Sequence, residues 1–148
     1  MKIFLILGNQ LFPLKSLDKY KNDHIVFMSE DYELCTYEKH HKLKILLFLS
    51  AMRSHADRLK KNKFKVEYSK IDSRDFKKDY LDKVKKVIKS KKIKEITSFE
   101  IEDKFFENKI KNFVKKNDLI WNKIKTPMFL NSREEFNDYL SKNKRPFM

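Results

Sequence analysis

The chain is 148 residues long and 41% apolar, with 35 Lys and Arg against 21 Asp and Glu for a formal net charge of +14. That length and apolar content suit one domain with a substantial core and exclude a disordered tail. Apolar runs such as residues 45–49 fall far short of the roughly 20 residues of a membrane span, MKIFLILGNQ has no small-residue cleavage site, and the single cysteine, Cys35, can form neither an internal disulfide nor a cysteine-based metal cage; a soluble, cytoplasmic protein with no membrane partner is expected.

KIFLIL at 2–7 is a continuous apolar run ending at Gly8, as suits a strand buried on both faces of a parallel sheet. Residues 9–22 are long enough for a short crossover, with Leu14, Leu17 and Tyr20 on a brief helix or turn. DHIVFMS at 23–29 reads as a second buried strand, 43–62 as a helix, and FKVEYSK at 64–70 as a third strand. Over 75–92, Phe76, Tyr80, Val84, Val87 and Ile88 recur at three- and four-residue intervals, which predicts a helix that leaves most of its lysines in water. IKEITSF at 93–99 and LIWNKI at 119–124 supply two more strands around a helix at 103–116, and Ser132 with Glu135 has capping-box spacing that opens a last helix through 140. The alternation predicts an α/β, Rossmann- or flavodoxin-like fold: a five-stranded parallel sheet with helices on both faces.

Ligands of such a sheet collect beyond the carboxyl ends of its strands, where Gly8, Asn9 and Gln10 and then Ser29, Glu30 and Asp31 fall. One glycine is not a dinucleotide fingerprint, and neither G-x-G-x-x-G nor a Walker pattern occurs. The positive charge points to weak, non-specific DNA binding through phosphates. Only five of the basic residues are arginine, however, and the lysines follow helical period rather than a motif, so a solvated surface accounts for them equally.

The helix at 43–62 carries more apolar area than one sheet face covers. Ile45, Leu49, Met52, Ala56 and Leu59 make the stripe expected on the sheet, whereas Leu43, Leu46, Leu47 and Phe48 widen its front half. Neighbouring helices or another domain would cover that second face, and left wet it favours self-association. His40 and His41, if helical, project about 100° apart and are poorly placed to ligate one metal.

LILGNQLFPL together with EDYELCTYEKHHKLKILLFLSAMRSHADRLKKNKFKVEY resembles the N-terminal domain of the prokaryotic cryptochrome/photolyase-related proteins, the branch of the iron-sulfur (6-4) photolyases. The pairing of LILG-N/D-QL with HHK-x-KI-x-x-x-x-SAMR carries the resemblance, and TPMFLNSREEF looks like the family's segment before its linker. The resemblance implies an antenna-type domain over 1–141 and the start of a linker over 142–148. As partner it implies a C-terminal helical domain holding FAD, an iron-sulfur cluster and most lesion contacts. Light-driven repair of DNA photoproducts or blue-light signalling would then belong to the full-length protein, with no catalysis from this chain alone. The candidate pocket residues are Gly8, Asn9, Gln10, Ser29, Glu30, Asp31, Cys35, Tyr37 and His40. Asn9 stands where most relatives carry Asp, and Ser29 and Leu34 where lumazine-binding members carry Cys and Glu, so a lumazine-like antenna, a different one or an empty pocket all stay open. A stand-alone flavodoxin-like module that binds nucleotide or nucleic acid is the rival reading.

Overall fold

The computed structural model describes residues 1–143, the side chain of Leu34 apart. In chain order it has β1 (Lys2–Leu5), 3-10 turns at Leu14–Ser16 and Asp18–Tyr20, β2 (His24–Ser29), the single-turn α1 (Tyr32–Thr36), α2 (Lys42–Lys61), β3 (Lys65–Ser69), α3 (Tyr80–Lys91), β4 (Glu95–Phe99), α4 (Lys104–Lys116), β5 (Ile120–Ile124) and α5 (Arg133–Lys142). The five strands are all parallel in the order β3-β2-β1-β4-β5. This is the α/β, Rossmann-like sheet that the strand and helix alternation predicts. The sheet grows outward in one direction from β1 to β3 and in the other from β4 to β5, so β1 and β4 meet at a topological switch point.

The helices pack on opposite faces of the sheet. Phe4, Ile6, Val26 and Met28 pack with Met52, Ala56 and Leu59 of α2 on one side. Ile3, Leu5, Ile25 and Phe27 pack with Tyr80, Leu81, Val84 and Ile88 of α3 and Ile110 of α4 on the other. Successive strand residues point to opposite faces, so covering both produces the unbroken apolar runs of β1 and β2. Each such side chain contributes about 1.5–3 kcal/mol when fully buried.

Helices α2, α3 and α4 end alike. The N–H groups of Phe64, Ile93 and Leu119 donate back to the carbonyls of Leu59, Ile88 and Val114 at 3.0, 3.0 and 3.1 Å. The preceding residues, Lys63, Lys92 and Asp118, take left-handed φ values of 63°, 53° and 50°. This Schellman geometry turns an apolar residue from each helix end towards the following strand.

Three expectations change in detail. Helix α3 begins at Tyr80 rather than at residue 75, because the Asp79 carboxylate accepts from Leu81 N at 2.8 Å and caps the helix there. Phe76 extends the periodicity backwards in the sequence but sits in the preceding turns, its ring edge-on to Tyr32 at 5.5 Å. On α2, Met52, Ala56 and Leu59 are buried, whereas Ile45 and Leu49 are only half-buried, and Leu43, Leu46, Leu47 and Phe48 are 60, 61, 68 and 41% exposed. Lys83 of α3 is not on the wet side: it is 4% exposed. The capping box at Ser132 and Glu135 forms as expected. The linker expected at 142–148 lies outside the described residues from 144 onward, and among the described residues no helix is long and apolar enough to cross a membrane.

Candidate functional site

The switch point opens into a cavity of about 310 Å³ at the carboxyl ends of β1 and β4, walled by α2, α4 and the segment around α1. Its apolar walls are Leu7, Ile45, Phe48, Leu49, Met52, Ile101 and Phe106, and its rim carries Asn9, Tyr37, His40, Lys44, Glu102 and Asp103. Volume and lining match the small-molecule sites that such sheets place outside their strand ends. Five of the nine residues singled out from the sequence line it: Gly8, Asn9, Cys35, Tyr37 and His40.

Gly8 is there for space. A Cβ on it would lie 3.0 Å from Met52 Sδ and 3.7 Å from Phe48 Cδ1, so the absent side chain lets the β1 loop approach α2 across the cavity floor. Gln10 does not face the cavity. It is completely buried, and its side-chain amide donates to the Glu100 carbonyl at 2.7 Å, pinning the loop after β1 to the end of β4. The β1 and β4 walls are therefore fixed relative to each other.

On the rim, Asn9 Nδ2 donates to Glu102 Oε2 at 3.4 Å, while the other oxygen, Oε1, is buried with no partner. Tyr37 and His40 stack edge to face at 5.5 Å, and His40 Nδ1 lies 3.4 Å from Lys44 Nζ. His41 plays no part in the rim, because its Nδ1 accepts from Leu43 N at 3.2 Å and caps α2. Asp103 likewise caps α4, accepting from the N–H groups of Phe105 and Phe106 at 2.8 and 3.2 Å. With these N-termini occupied by the chain's own acceptors, the donors that usually cradle a phosphate are spent. Cys35 is half-buried, and burial together with Asp31 and Glu30 pushes its thiol pKa up, so it stays protonated and weakly nucleophilic. An apolar slot with an acceptor on one rim suits binding of a flat, uncharged heteroaromatic ring, and among the described residues no nucleophile and base are paired along its walls.

Ser29, Glu30 and Asp31 form a different cluster at the end of β2. Glu30 is fully buried and accepts from Arg53 Nε and Nη2 at 2.5 and 2.9 Å, from Tyr68 Oη at 2.9 Å and from Ile71 N at 2.7 Å. Burial pushes its pKa up, but the donors outweigh it and hold the carboxyl below the usual range. Lys83 reaches in from α3 to Ser29 Oγ at 3.3 Å, Glu30 O at 3.4 Å and Asp31 Oδ1 at 3.8 Å. Asp31 also caps α1 by accepting from Glu33 N at 3.2 Å, and burial raises its pKa despite Lys83. The cluster ties β2 to β3, α2 and α3, and none of its three strand-end residues lines the switch-point cavity.

Glu102 and Phe106 are not among the residues expected from the sequence. The signal is present, because EIED follows the β4 run as GNQ follows β1, but only strand order reveals that those two loops face one another. Arg53 and Lys83 escape a sequence reading because each looks like a surface cation until folding brings Glu30 or Ser29 beside it.

Fold and cavity together define a Rossmann-like α/β domain with a cavity at its switch point. The chain belongs to the deoxyribodipyrimidine photo-lyase-related protein family, whose model matches residues 4–148. It is similar to a (6-4) photolyase of Agrobacterium fabrum (strain C58 / ATCC 33970), with 38% identity over 91 residues, 59% of this chain. That match spans only 18% of the relative's length.

Proposed function

We propose that this chain is the antenna-type N-terminal domain of a photolyase-related flavoprotein of the iron-sulfur branch, at work in the cytoplasm. The single observation carrying the reading is the switch-point cavity of about 310 Å³ in a chain of this family. It has room for a bicyclic ring and not for a dinucleotide the size of FAD. Gly8 gives the ring access to the floor, Phe48, Met52 and Phe106 sandwich it, and Asn9, Glu102, His40 and Tyr37 orient its polar edge. The Glu102 carboxylate on the rim supports this assignment, since its one side-chain bond is long and it has acceptor capacity left for a ring N–H. A bound chromophore of this kind would absorb light and pass on the excitation. Ser29, turned towards Lys83, gives a lumazine no contact inside the cavity, so one is held there weakly.

FAD and the iron-sulfur cluster belong, on this reading, to a following helical domain that performs light-driven repair or signalling, and this chain alone performs neither. That domain also covers the apolar face of α2 formed by Leu43, Leu46, Leu47 and Phe48, which has no partner among the described residues. Without it, the same face drives weak self-association. The rival nucleotide-binding module is disfavoured by the capped N-termini of α2 and α4 at the cavity.

Absorption spectra and mass analysis of the purified chain test the reading. A colourless protein, or one with a substoichiometric lumazine-like pigment, is expected. Added lumazine should be quenched on binding, and Gly8→Leu should abolish that quenching. Stoichiometric FAD would overturn it, as would lumazine binding unaffected by Gly8→Leu.

A further inference from the structure

The opposite end of the sheet has a charge character of its own. Every strand begins there, and α2, α3 and α4 finish there. Residues 58–65 carry Arg58, Lys60, Lys61, Lys63 and Lys65 without one acid, and residues 89–94 carry Lys89, Lys91, Lys92 and Lys94 without one. All nine are exposed, and only Lys91, 3.7 Å from Glu67, has an ion-pair partner among the described residues. At the cavity end, by contrast, residues 100–107 set Glu100, Glu102, Asp103 and Glu107 against Lys104. These two runs give the amino-terminal end of the sheet nine exposed cations, against Asp23, Glu95 and Asp118 at the starts of β2, β4 and β5.

Helix dipoles explain part of this, because cations in a last helical turn offset the carbonyl ends. They do not explain Lys63, Lys65, Lys92 and Lys94, which lie past the helices. Lys63 and Lys92 sit at left-handed φ, 63° and 53°, as Asp118 does at 50° after α4, so the backbone conformation by itself selects no charge and the cations stand on their exposure and lack of partners. The run after α2 leads into β3 and the run after α3 into β4, so β2 and β1 lie between them and the two runs approach the sheet end from opposite faces, spreading unpaired cations along that end.

We propose that this amino-terminal end is a second interaction surface, for the sugar-phosphate backbone of nucleic acid, engaging it without regard to sequence or damage. Five strands at about 4.8 Å spacing make the sheet end roughly 20 Å wide, comparable to a duplex whose charges recur every ~1.7 Å along its axis. The surface is independent of the cavity and of what the cavity holds. Lysine suits it, since point charges neutralise phosphates without bidentate readout of bases.

The test is anisotropy of a labelled, random-sequence DNA duplex against the chain over a salt series. It compares a quadruple variant at this end (Lys61→Gln, Lys63→Asn, Lys92→Asn, Lys94→Gln) with a charge-matched one at the cavity end (Lys42→Gln, Lys70→Gln, Lys104→Gln, Lys125→Gln). Thermal melts confirm that both fold. The first should flatten the slope of log K against log salt by about 0.9 for each phosphate no longer neutralised, and weaken binding more than tenfold at low salt, while the second leaves both within about twofold. Equal weakening in the two variants would show only net charge at work and overturn the proposal. So would no duplex binding at 50 mM salt, or tighter binding to anionic phospholipid vesicles than to duplex.

Discussion

The two polar clusters at the carboxyl end of the sheet are alike in composition and opposite in completeness. At the end of β2, Glu30 is fully buried and both its oxygens are engaged by Arg53, Tyr68 and Ile71. At the β1/β4 switch point, Glu102 lines the cavity with a single side-chain bond, from Asn9 at 3.4 Å to one oxygen, and leaves the other oxygen buried without a partner. A buried carboxylate whose acceptors are all used braces the fold. One on a cavity rim with a single long bond keeps acceptor capacity that the fold does not use. Position beyond a strand end does not distinguish the two; their hydrogen bonds do.

Removing each carboxylate tests the contrast most severely. Glu30→Ala should cost about 4 kcal/mol in urea unfolding, because it strands the buried Tyr68 hydroxyl and Ile71 N–H and unpairs Arg53. Glu102→Ala should cost under about 1 kcal/mol, since the bond it removes is long and the desolvated oxygen goes with it. Equal costs would end the distinction. Acid should tell the same story: the Glu30 carboxyl titrates below its unfolded value, so its contribution is present above the ordinary carboxylate pKa and is lost as pH falls through the depressed one.

His55 sharpens the comparison, because it shows an unpartnered atom in the closed core. The ring is 1% exposed, Nδ1 lies 3.3 Å from Arg58 Nη2, and Nε2 has no partner. Burial first, and Arg58 second, lower its pKa to about 4. The folded state therefore refuses a proton that the unfolded chain accepts, and stability complete above pH 6.5 should fall by about 3 kcal/mol on the way down to pH 4. His55→Leu should flatten that part of the pH-stability curve. A wild-type curve already flat over this range would show that the ring is protonated without penalty.

The fold is legible in the sequence because its determinants are local or periodic. Runs covered on both faces give β1 and β2 away, and Ser132 with Glu135 announces α5 from three residues' separation. Periodicity alone starts α3 too early because Phe76 fits the helical period, while the deciding contact is a carboxylate at Asp79. The site is half-legible for a related reason. Gly8, Asn9, Tyr37 and His40 belong to loops whose strand-end location follows from the alternation, but Glu102 and Phe106 join them only through the reversal of strand order at β4. Lys83 and Arg53 lie 54 and 23 residues from their acceptors, Ser29 and Glu30, and nothing in helical period separates them from solvated cations.

The smallest expected effect concerns the two faces of α2. Leu49 is half-buried and lines the cavity, whereas Leu47 is 68% exposed on the face that also carries Leu43 and Leu46. Leu49→Glu puts a charge against apolar walls and should cost about 2 kcal/mol, less than at a fully buried site because the cavity admits water. Leu47→Glu should change stability by no more than about 0.5 kcal/mol, the range of surface substitutions that break no special contact. Its effect should appear instead in sedimentation, as reduced self-association of the chain at high concentration, because the charge interrupts an exposed apolar face. If Leu47→Glu unfolds the chain as readily as Leu49→Glu, that face is packed from within and needs no partner. If stability holds but self-association is unchanged, the contact between copies lies elsewhere. The exposed aromatic and aliphatic side chains Phe129, Leu130 and Phe136, at 58, 104 and 57%, are then the next place to substitute.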